Sequence, residues 1–254
     1  MLTSPPLALQ DIVVGNADEP NLIYLNPGGD REGDFSTVTP IAIGTETDDT
    51  RSVVVADVDG DGSLDVVVGN GPGVPSKVYL NPGSVNGFET VEPTSVGSET
   101  ADTRSVVVAD VDGDGIVDLV LGNSGEKNTV YFGTGGGDYS GVAPVGIGTE
   151  TDDTRSVVVA DVNDDGSLDF IVGNHDSEDR VYLSDPAKPR DPVSLPSTTI
   201  GTEVDETVKV EVRDMNSDGL PDVVTTDSQQ KSTVFLNDGT GAFPIKCIDR
   251  CVPE

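Results

Sequence analysis

Aspartates recur at alternate positions in four short stretches of this chain, and that spacing suits one kind of chemistry. The first stretch carries Asp57, Asp59 and Asp61, followed by Gly62, Ser63 and Asp65. On a loop that curls about a point, acids two residues apart aim their carboxylates inward. Gly62 permits the positive φ that a sharp turn requires. The Ser63 carbonyl is then presented, and Asp65 is expected to close the shell as a bidentate ligand. About six or seven oxygens from so short a loop suit Ca²⁺, at roughly 2.3–2.6 Å, better than Mg²⁺, which prefers octahedral geometry and keeps its waters. Zn²⁺ would want Cys or His, and the loops contain neither.

The pattern is present four times. The second copy supplies Asp110, Asp112, Asp114 and Asp118 with the Ile116 carbonyl, and the third Asp161, Asn163, Asp165 and Asp169 with the Ser167 carbonyl. The fourth offers Asp214, Asn216, Asp218 and Asp222 with the Leu220 carbonyl. One such loop could arise by chance; four in register could not. They are not EF-hands, whose twelve-residue loop ends in a bidentate Glu. That position here is Val68, Leu121, Val172 and Thr225. About four Ca²⁺ are expected.

The elements that must hold these loops repeat with them. GTETDDTRSVVVADVDGDGSLDVVVGN spans 44–70, with close copies at 97–123 and 148–174 and a diverged one at 201–227. The leading aspartates Asp57, Asp110, Asp161 and Asp214 are 53, 51 and 53 residues apart, and a partial copy, DIVVGN, begins at Asp11. Within a repeat, the β-branched runs at 52–58 and 64–68 read as strands bounded by Gly and Asp turns. A third, aromatic strand (KVYLN, 77–81) and a looser fourth around 88–96 complete the unit. No segment has a 3.6-residue apolar period, so helix content near zero is expected. Four strands in about 50 residues is the size of a propeller blade. Val-rich strands suit a sheet covered on both faces. A β-solenoid is the main competitor, though its coils are usually shorter.

The fold expected is therefore all-β, a β-propeller of four-stranded blades in one repeat domain over 1–254. About five blades are present: an incomplete one at 1–43, then 44–96, 97–147, 148–200 and 201–246, with a tail at 247–254. The first loop is missing and the tail does not resemble the missing strand. That points to a fragment of a longer ring rather than to five blades that close.

Composition narrows the partners. A formal net charge of -32, from 46 acidic and 14 basic residues, repels phosphate backbones, so nucleic acid is excluded. Acidic surface also disfavours anionic membranes. No stretch approaches the roughly 20 apolar residues of a membrane helix, so no membrane insertion is expected. Residues 1–10 lack the basic start and apolar core of a signal peptide, which a fragment would explain. Cys247 and Cys251 allow one local bridge or an incidental tail pair.

The DVDGDGSLD loop, the DVVVGN strand after it and the VYLN…G…F segment (FLNDGTGAF at 235–243) resemble the FG-GAP/VCBS repeat family, whose calcium-binding blades also form integrin α-subunit propellers. The resemblance covers nearly the whole chain. It implies a propeller, commonly of seven blades, with Ca²⁺ in the loop joining the first two strands of each blade. This chain departs from it in blade count. The metal is expected to be mainly structural, cancelling clustered carboxylates and pinning that loop.

The other face of the blades carries the ETDDTR element, with Arg51, Arg104 and Arg155 expected to pair with neighbouring acids and staple successive blades. Variable loops at 71–76 and 175–179 lie beside it. His175 is the single histidine, and no nucleophile-elbow motif accompanies it. The function expected is a non-enzymatic, extracellular or cell-surface adhesion or ligand-binding module for a glycan or protein. The alternatives are the propeller portion of a polysaccharide lyase or dehydratase-like enzyme, since the resemblance extends to lyases built on this repeat, and a purely architectural repeat of a larger adhesin.

Overall fold

Valine density sets the backbone, because β-branched residues favour extended chain and the Gly–Asp turns cut it into short lengths. The computed structural model describes residues 10–29, 32–201, 204–229 and 231–247. Among them the chain forms five antiparallel meanders in sequence order. The first has three strands, β1 (Ile12–Val14), β2 (Asn21–Tyr24) and β3 (Ile41–Ile43). Sheet two is β4 (Thr50–Ala56), β5 (Asp65–Asn70), β6 (Lys77–Tyr79) and β7 (Thr94–Ser95). Sheet three is β8 (Asp102–Ala109), β9 (Asp118–Ser124), β10 (Thr129–Tyr131) and β11 (Val145–Gly146). Sheet four is β12 (Asp153–Ala160), β13 (Asp169–Ser177), β14 (Arg180–Tyr182) and β15 (Ser197–Thr199). Sheet five is β16 (Asp205–Arg213), β17 (Asp222–Asp227), β18 (Thr233–Leu236) and β19 (Ile245–Cys247).

Helix among the described residues is limited to short 3-10 turns such as Val85–Thr90 and Pro192–Ser194. The first of these falls where the sequence suggests a fourth strand. Phe88 is the reason: it buries its ring against Ile43 and Tyr79, and its carbonyl accepts the Gly44 N–H at 2.7 Å. The paired strand β7 shrinks to two residues. Cys247 ends β19, while Cys251 lies outside the described residues.

The core lies between sheets rather than within one. Val67, Val78 and Val96 of sheet two meet Val106, Leu119 and Tyr131 of sheet three. Val120, Val130 and Ile147 of sheet three meet Val157, Val172 and Tyr182 of sheet four in the same manner. Sheet four in turn packs Ile171, Val181 and Ile200 on Val210, Val223 and Phe235. Because both faces are covered, every residue of β5 is buried, which is why its sequence does not alternate. The first strands β4, β8, β12 and β16 stand side by side, linked by one repeated bond. Ser52 Oγ accepts the Val106 N–H at 3.2 Å, Ser105 Oγ that of Val157 at 3.0 Å and Ser156 Oγ that of Val210 at 3.1 Å. No sheet closes on itself among the described residues.

This close approach explains the glycine before the asparagine at 69, 122 and 173. A Cβ on Gly122 would lie 2.7 Å from Val157 Cγ2 and 3.1 Å from Thr154 Cγ2 of the next sheet. Overpacking of this kind costs about 1–3 kcal/mol. Gly122→Ala is therefore expected to lower stability by that amount in urea denaturation. An unchanged midpoint would show that the sheets are not held this tightly.

Candidate metal centres and the opposite face

Each acidic loop joins the first and second strands of a sheet, and its geometry follows from where its carboxylates spend their oxygens. Asp57 accepts the Gly60 N–H on Oδ1 at 2.8 Å and the Gly62 N–H on Oδ2 at 3.0 Å. Asp59 Oδ1 accepts from Asp61 N–H at 3.0 Å, and Asp61 Oδ1 from Ser63 N–H at 2.7 Å. The loop is thus coiled by its own side chains. Gly62, Gly115, Gly166 and Gly219 all adopt φ between 87° and 89°, as the turn requires. The residues after them repeat the bond seen at Ser63: Ile116 to Asp114 at 2.8 Å, Ser167 to Asp165 at 2.9 Å and Leu220 to Asp218 at 2.8 Å.

The closing acid differs from the others because it is buried. Asp118, Asp169 and Asp222 are fully inaccessible and Asp65 nearly so. Asp65 Oδ2 accepts the Val58 N–H at 2.9 Å and Oδ1 the Asn81 N–H at 2.7 Å. Asp118 does the same with Val111 and Gly133, Asp169 with Val162 and Ser184, and Asp222 with Met215 and Asn237. One carboxylate therefore ties the loop entry to the end of the third strand. Each of its oxygens keeps a second lone pair.

The first two loops gather carboxylate oxygens in small volumes. One carboxylate oxygen each from Asp57, Asp59 and Asp61 lies within 4.8 Å of the others, as does one each from Asp110, Asp112 and Asp118. In the third and fourth loops Asn163 and Asn216 donate to Asp165 and Asp218 at 3.0 and 2.8 Å, and Asp161 and Asp214 hold the Gly166 and Gly219 N–H groups. A donor set of carboxylate, amide and carbonyl oxygens without sulfur or imidazole fits a hard divalent cation. The charge balance points the same way. Burial pushes the Asp118 carboxyl up to about 6 despite the opposing Gly133 and Val111 N–H groups, with Asp112 and Asp110 adding to the rise. Asp169 is raised to about 6 for the same reasons, burial first and then Asp165 and Asp161, and Asp65 is raised too.

The second loop already holds a cation of the chain's own. Arg190, on the segment between β14 and β15, sends Nε to Asp112 Oδ2 and an NH₂ group to Asp114 Oδ2 at 2.5 Å. Its guanidinium also stacks 5.3 Å from the centre of the Phe132 ring. Those two oxygens are the ones that the coiling of the loop leaves over. Neither the repeat nor the loop motif signals this contact, because Arg190 stands in an unrepeated stretch 78 residues beyond Asp112.

On the opposite face the repeated arginines do not staple sheet to sheet. Arg51, Arg104 and Arg155 each pair with the acid two residues before them, Asp49, Asp102 and Asp153, at 2.5–2.6 Å. Side chains at i and i+2 of an extended strand lie on one face, so the nearest acid is the local one. On this face the sheets are joined by side chains through an Asn–Thr or Asp–Thr clasp, beside backbone pairing of Asp153 with Ser124 and of His175 with Glu206. Asn21 donates to Thr50 of the next sheet at 3.0 Å, Asn128 to Thr154 at 3.0 Å, and Thr207 donates to Asp179 at 2.9 Å. Glu99 and Glu150 accept the hydroxyls of Tyr131 and Tyr182 at 2.8 and 3.0 Å. His175 sits between sheets four and five, 3.2 Å from Asp176, 3.7 Å from Glu206 and 3.8 Å from Asp153.

The family model for the FG-GAP-like repeat matches residues 9–68, 64–121 and 110–172. No curated protein sequence matches the chain. Among solved structures, a lectin of Agrocybe aegerita that recognises non-reducing terminal N-acetylglucosamine aligns over 94% of this chain and 62% of its own, with a TM-score of 0.60 and 20% identity. Sqt1 of Chaetomium thermophilum aligns over 92% of this chain and 55% of its own, at 0.58 and 15%. The V. cholerae biofilm matrix protein Bap1 aligns over 94% of this chain and 35% of its own, at 0.56 and 15%. The chain thus spans less than two thirds of each of these proteins.

The buried acids give a pH test. The folded-state values of Asp118 and Asp169 lie above those of the unfolded chain, so the stability these two contribute is complete below the ordinary carboxylate range and is lost as pH rises through about 6. With chelator present, the melting temperature is expected to rise as pH falls from 7.5 to 5. With millimolar Ca²⁺ it is expected to fall over the same range, because a bound cation needs the deprotonated ligands. Parallel curves in the two buffers would contradict a cation at these loops.

Proposed function

Because the chain belongs to the FG-GAP-like repeat family, we propose that it is a calcium-stapled β-propeller module that presents a ligand-binding surface outside the cell or on its surface. The observation that carries this reading is the buried carboxylate at the close of each loop. A charge removed from water is costly unless it is paired, and Asp118 has carboxylate oxygens of Asp110 and Asp112 within 4.8 Å. Ca²⁺ supplies the missing positive charge. The residues that would hold it are Asp57, Asp59, Asp61, Ser63 and Asp65; Asp110, Asp112, Asp114, Ile116 and Asp118; Asp161, Asn163, Asp165, Ser167 and Asp169; and Asp214, Asn216, Asp218, Leu220 and Asp222.

The role of the metal in this reading is to hold the strand junction rather than to react. The repeats divide as blades at 44–96, 97–147, 148–200 and 201–246, with a partial blade before them. A ligand role is supported by the settings of two similar folds, the lectin that recognises a terminal sugar and the biofilm matrix protein. Propellers also expose many loops on a rigid frame, where binding residues gather. The ligand class is a glycan or a protein.

Calorimetric titration of the chelator-stripped chain with Ca²⁺, with thermal melting in parallel, tests the reading. Binding at several loops and a rise in melting temperature with free Ca²⁺ are expected. The second loop is expected to bind most weakly, since Arg190 must leave Asp112 and Asp114 first. Arg190→Gln should strengthen that site about tenfold, and Asp114→Ala should remove it. Heat absent from the titration, or binding that leaves the melting temperature unmoved, would overturn the stapling role.

A further inference from the structure

Two positions that carry an ion pair in sheets two and four, and one that clasps neighbouring sheets elsewhere, are short around sheet three, and together they open a pocket. In sheets two and four a cation on the third strand reaches the acids of the turn before the first strand. Lys77 Nζ lies 2.7 Å from Asp48 and 4.0 Å from Glu46. Arg180 lies 3.5 Å from Asp152 and 4.0 Å from Glu150. In the register of the repeat, Thr129 stands where Lys77 and Arg180 do, and Ala101 where Asp48 and Asp152 do. Both members of the ion pair are gone from sheet three, as they are from sheet five, where Thr233 and Val204 hold these positions. Glu99, the counterpart of Glu46 and Glu150, remains.

The clasp to the neighbouring sheet is shortened at the same place. Asn21, Asn128 and Asp179 each reach a threonine of the next sheet. Their counterpart is Ser76, whose hydroxyl is buried, 4% exposed as a residue, and without a hydrogen-bond partner. Thr103, which an Asn there would have met, bonds only within its own sheet, to Asn123 at 2.9 Å. The result is a cavity of about 340 Å³ with Ser76, Ala101, Thr129 and Glu99 in its walls and Leu121 among its apolar lining. That volume lies within the range of about 300–1,000 Å³ typical of ligand pockets.

We propose that this pocket receives the ammonium or guanidinium group of a lysine or arginine side chain presented by a protein partner. The inference rests on the reading of the chain as a ligand-binding module and selects protein over glycan. The chain itself supplies the template, for its own Lys77 and Arg180 fill the equivalent spaces. Glu99 is held in place for the incoming charge. Its Oε2 accepts the Tyr131 hydroxyl at 2.8 Å and the Ser98 N–H at 3.0 Å. Lys127 and Glu126 also line the cavity and bring opposite charges, so they leave Glu99 to decide its sign. The alkyl stem of a lysine would lie along Leu121 and Ala101. A net charge of -32 draws cations toward the surface.

The test is an NMR titration of the full chain in Ca²⁺ buffer with Nα-acetyl-lysine amide and Nα-acetyl-arginine amide. Nα-acetyl-norleucine amide and N-acetylglucosamine serve as neutral controls. The expected result is saturable shifts of the Glu99, Ala101 and Thr129 amides with a cationic amide and none with the controls. The double variant Ala101→Asp/Thr129→Lys rebuilds the internal ion pair and should weaken binding at least about tenfold while keeping the calcium-dependent melting temperature. Glu99→Gln should weaken it by a similar factor. Shifts that persist in the double variant, no shifts at these amides, or shifts with N-acetylglucosamine alone would each overturn the proposal. A chain that gains no thermal stability from Ca²⁺ would instead defeat the module reading on which it rests. A calcium-stabilised chain that binds neither cationic amide defeats this inference alone.

Discussion

A carboxylate sealed from water at the foot of each acidic loop governs the rest of the molecule. Asp65, Asp118, Asp169 and Asp222 each receive two backbone N–H groups, one from the loop entry and one from the end of the third strand. The bonds fix the register of three strands around one residue. They also commit the repeat to burying a charge, which two N–H donors offset only in part. The upward shift of Asp118 and Asp169 records the remainder. A divalent cation would supply it.

Around that fixed junction the sheets can only stack. Strands such as β5 are covered on both faces, and the valine clusters lie between neighbours rather than within a sheet. Glycine at 69, 122 and 173 lets the first strand of the next sheet come close, and the serine before each valine run accepts its N–H. Each sheet therefore depends on its neighbour, as in other repeat proteins whose stability is a sum over interfaces.

Repetition also makes departures informative. Arg190 enters one loop of four, and the Ser76, Ala101 and Thr129 replacements fall at one junction. A motif present in every repeat serves the frame. An exception concentrated at one place is where a chain of this kind has room for a function of its own.

The four acidic loops, the strand order and the all-β class were legible in the sequence because they depend on local spacing. Alternate aspartates, Gly62 and its counterparts, and β-branched runs act over fewer than ten residues, and their recurrence every 51 to 53 residues ruled out coincidence. The same locality misled the reading of Arg51, Arg104 and Arg155, whose partners are the acids two residues away, and of the segment around Phe88, where burial of one ring replaces a strand with a 3-10 turn. Tertiary structure alone decided what crosses between sheets: the Asn–Thr clasps, the Arg190 contact and the cavity beside Ser76. Their partners are 26 or more residues apart. Whether a side chain bridges that gap depends on its length by a single methylene or amide, a distance that spacing along the chain does not encode.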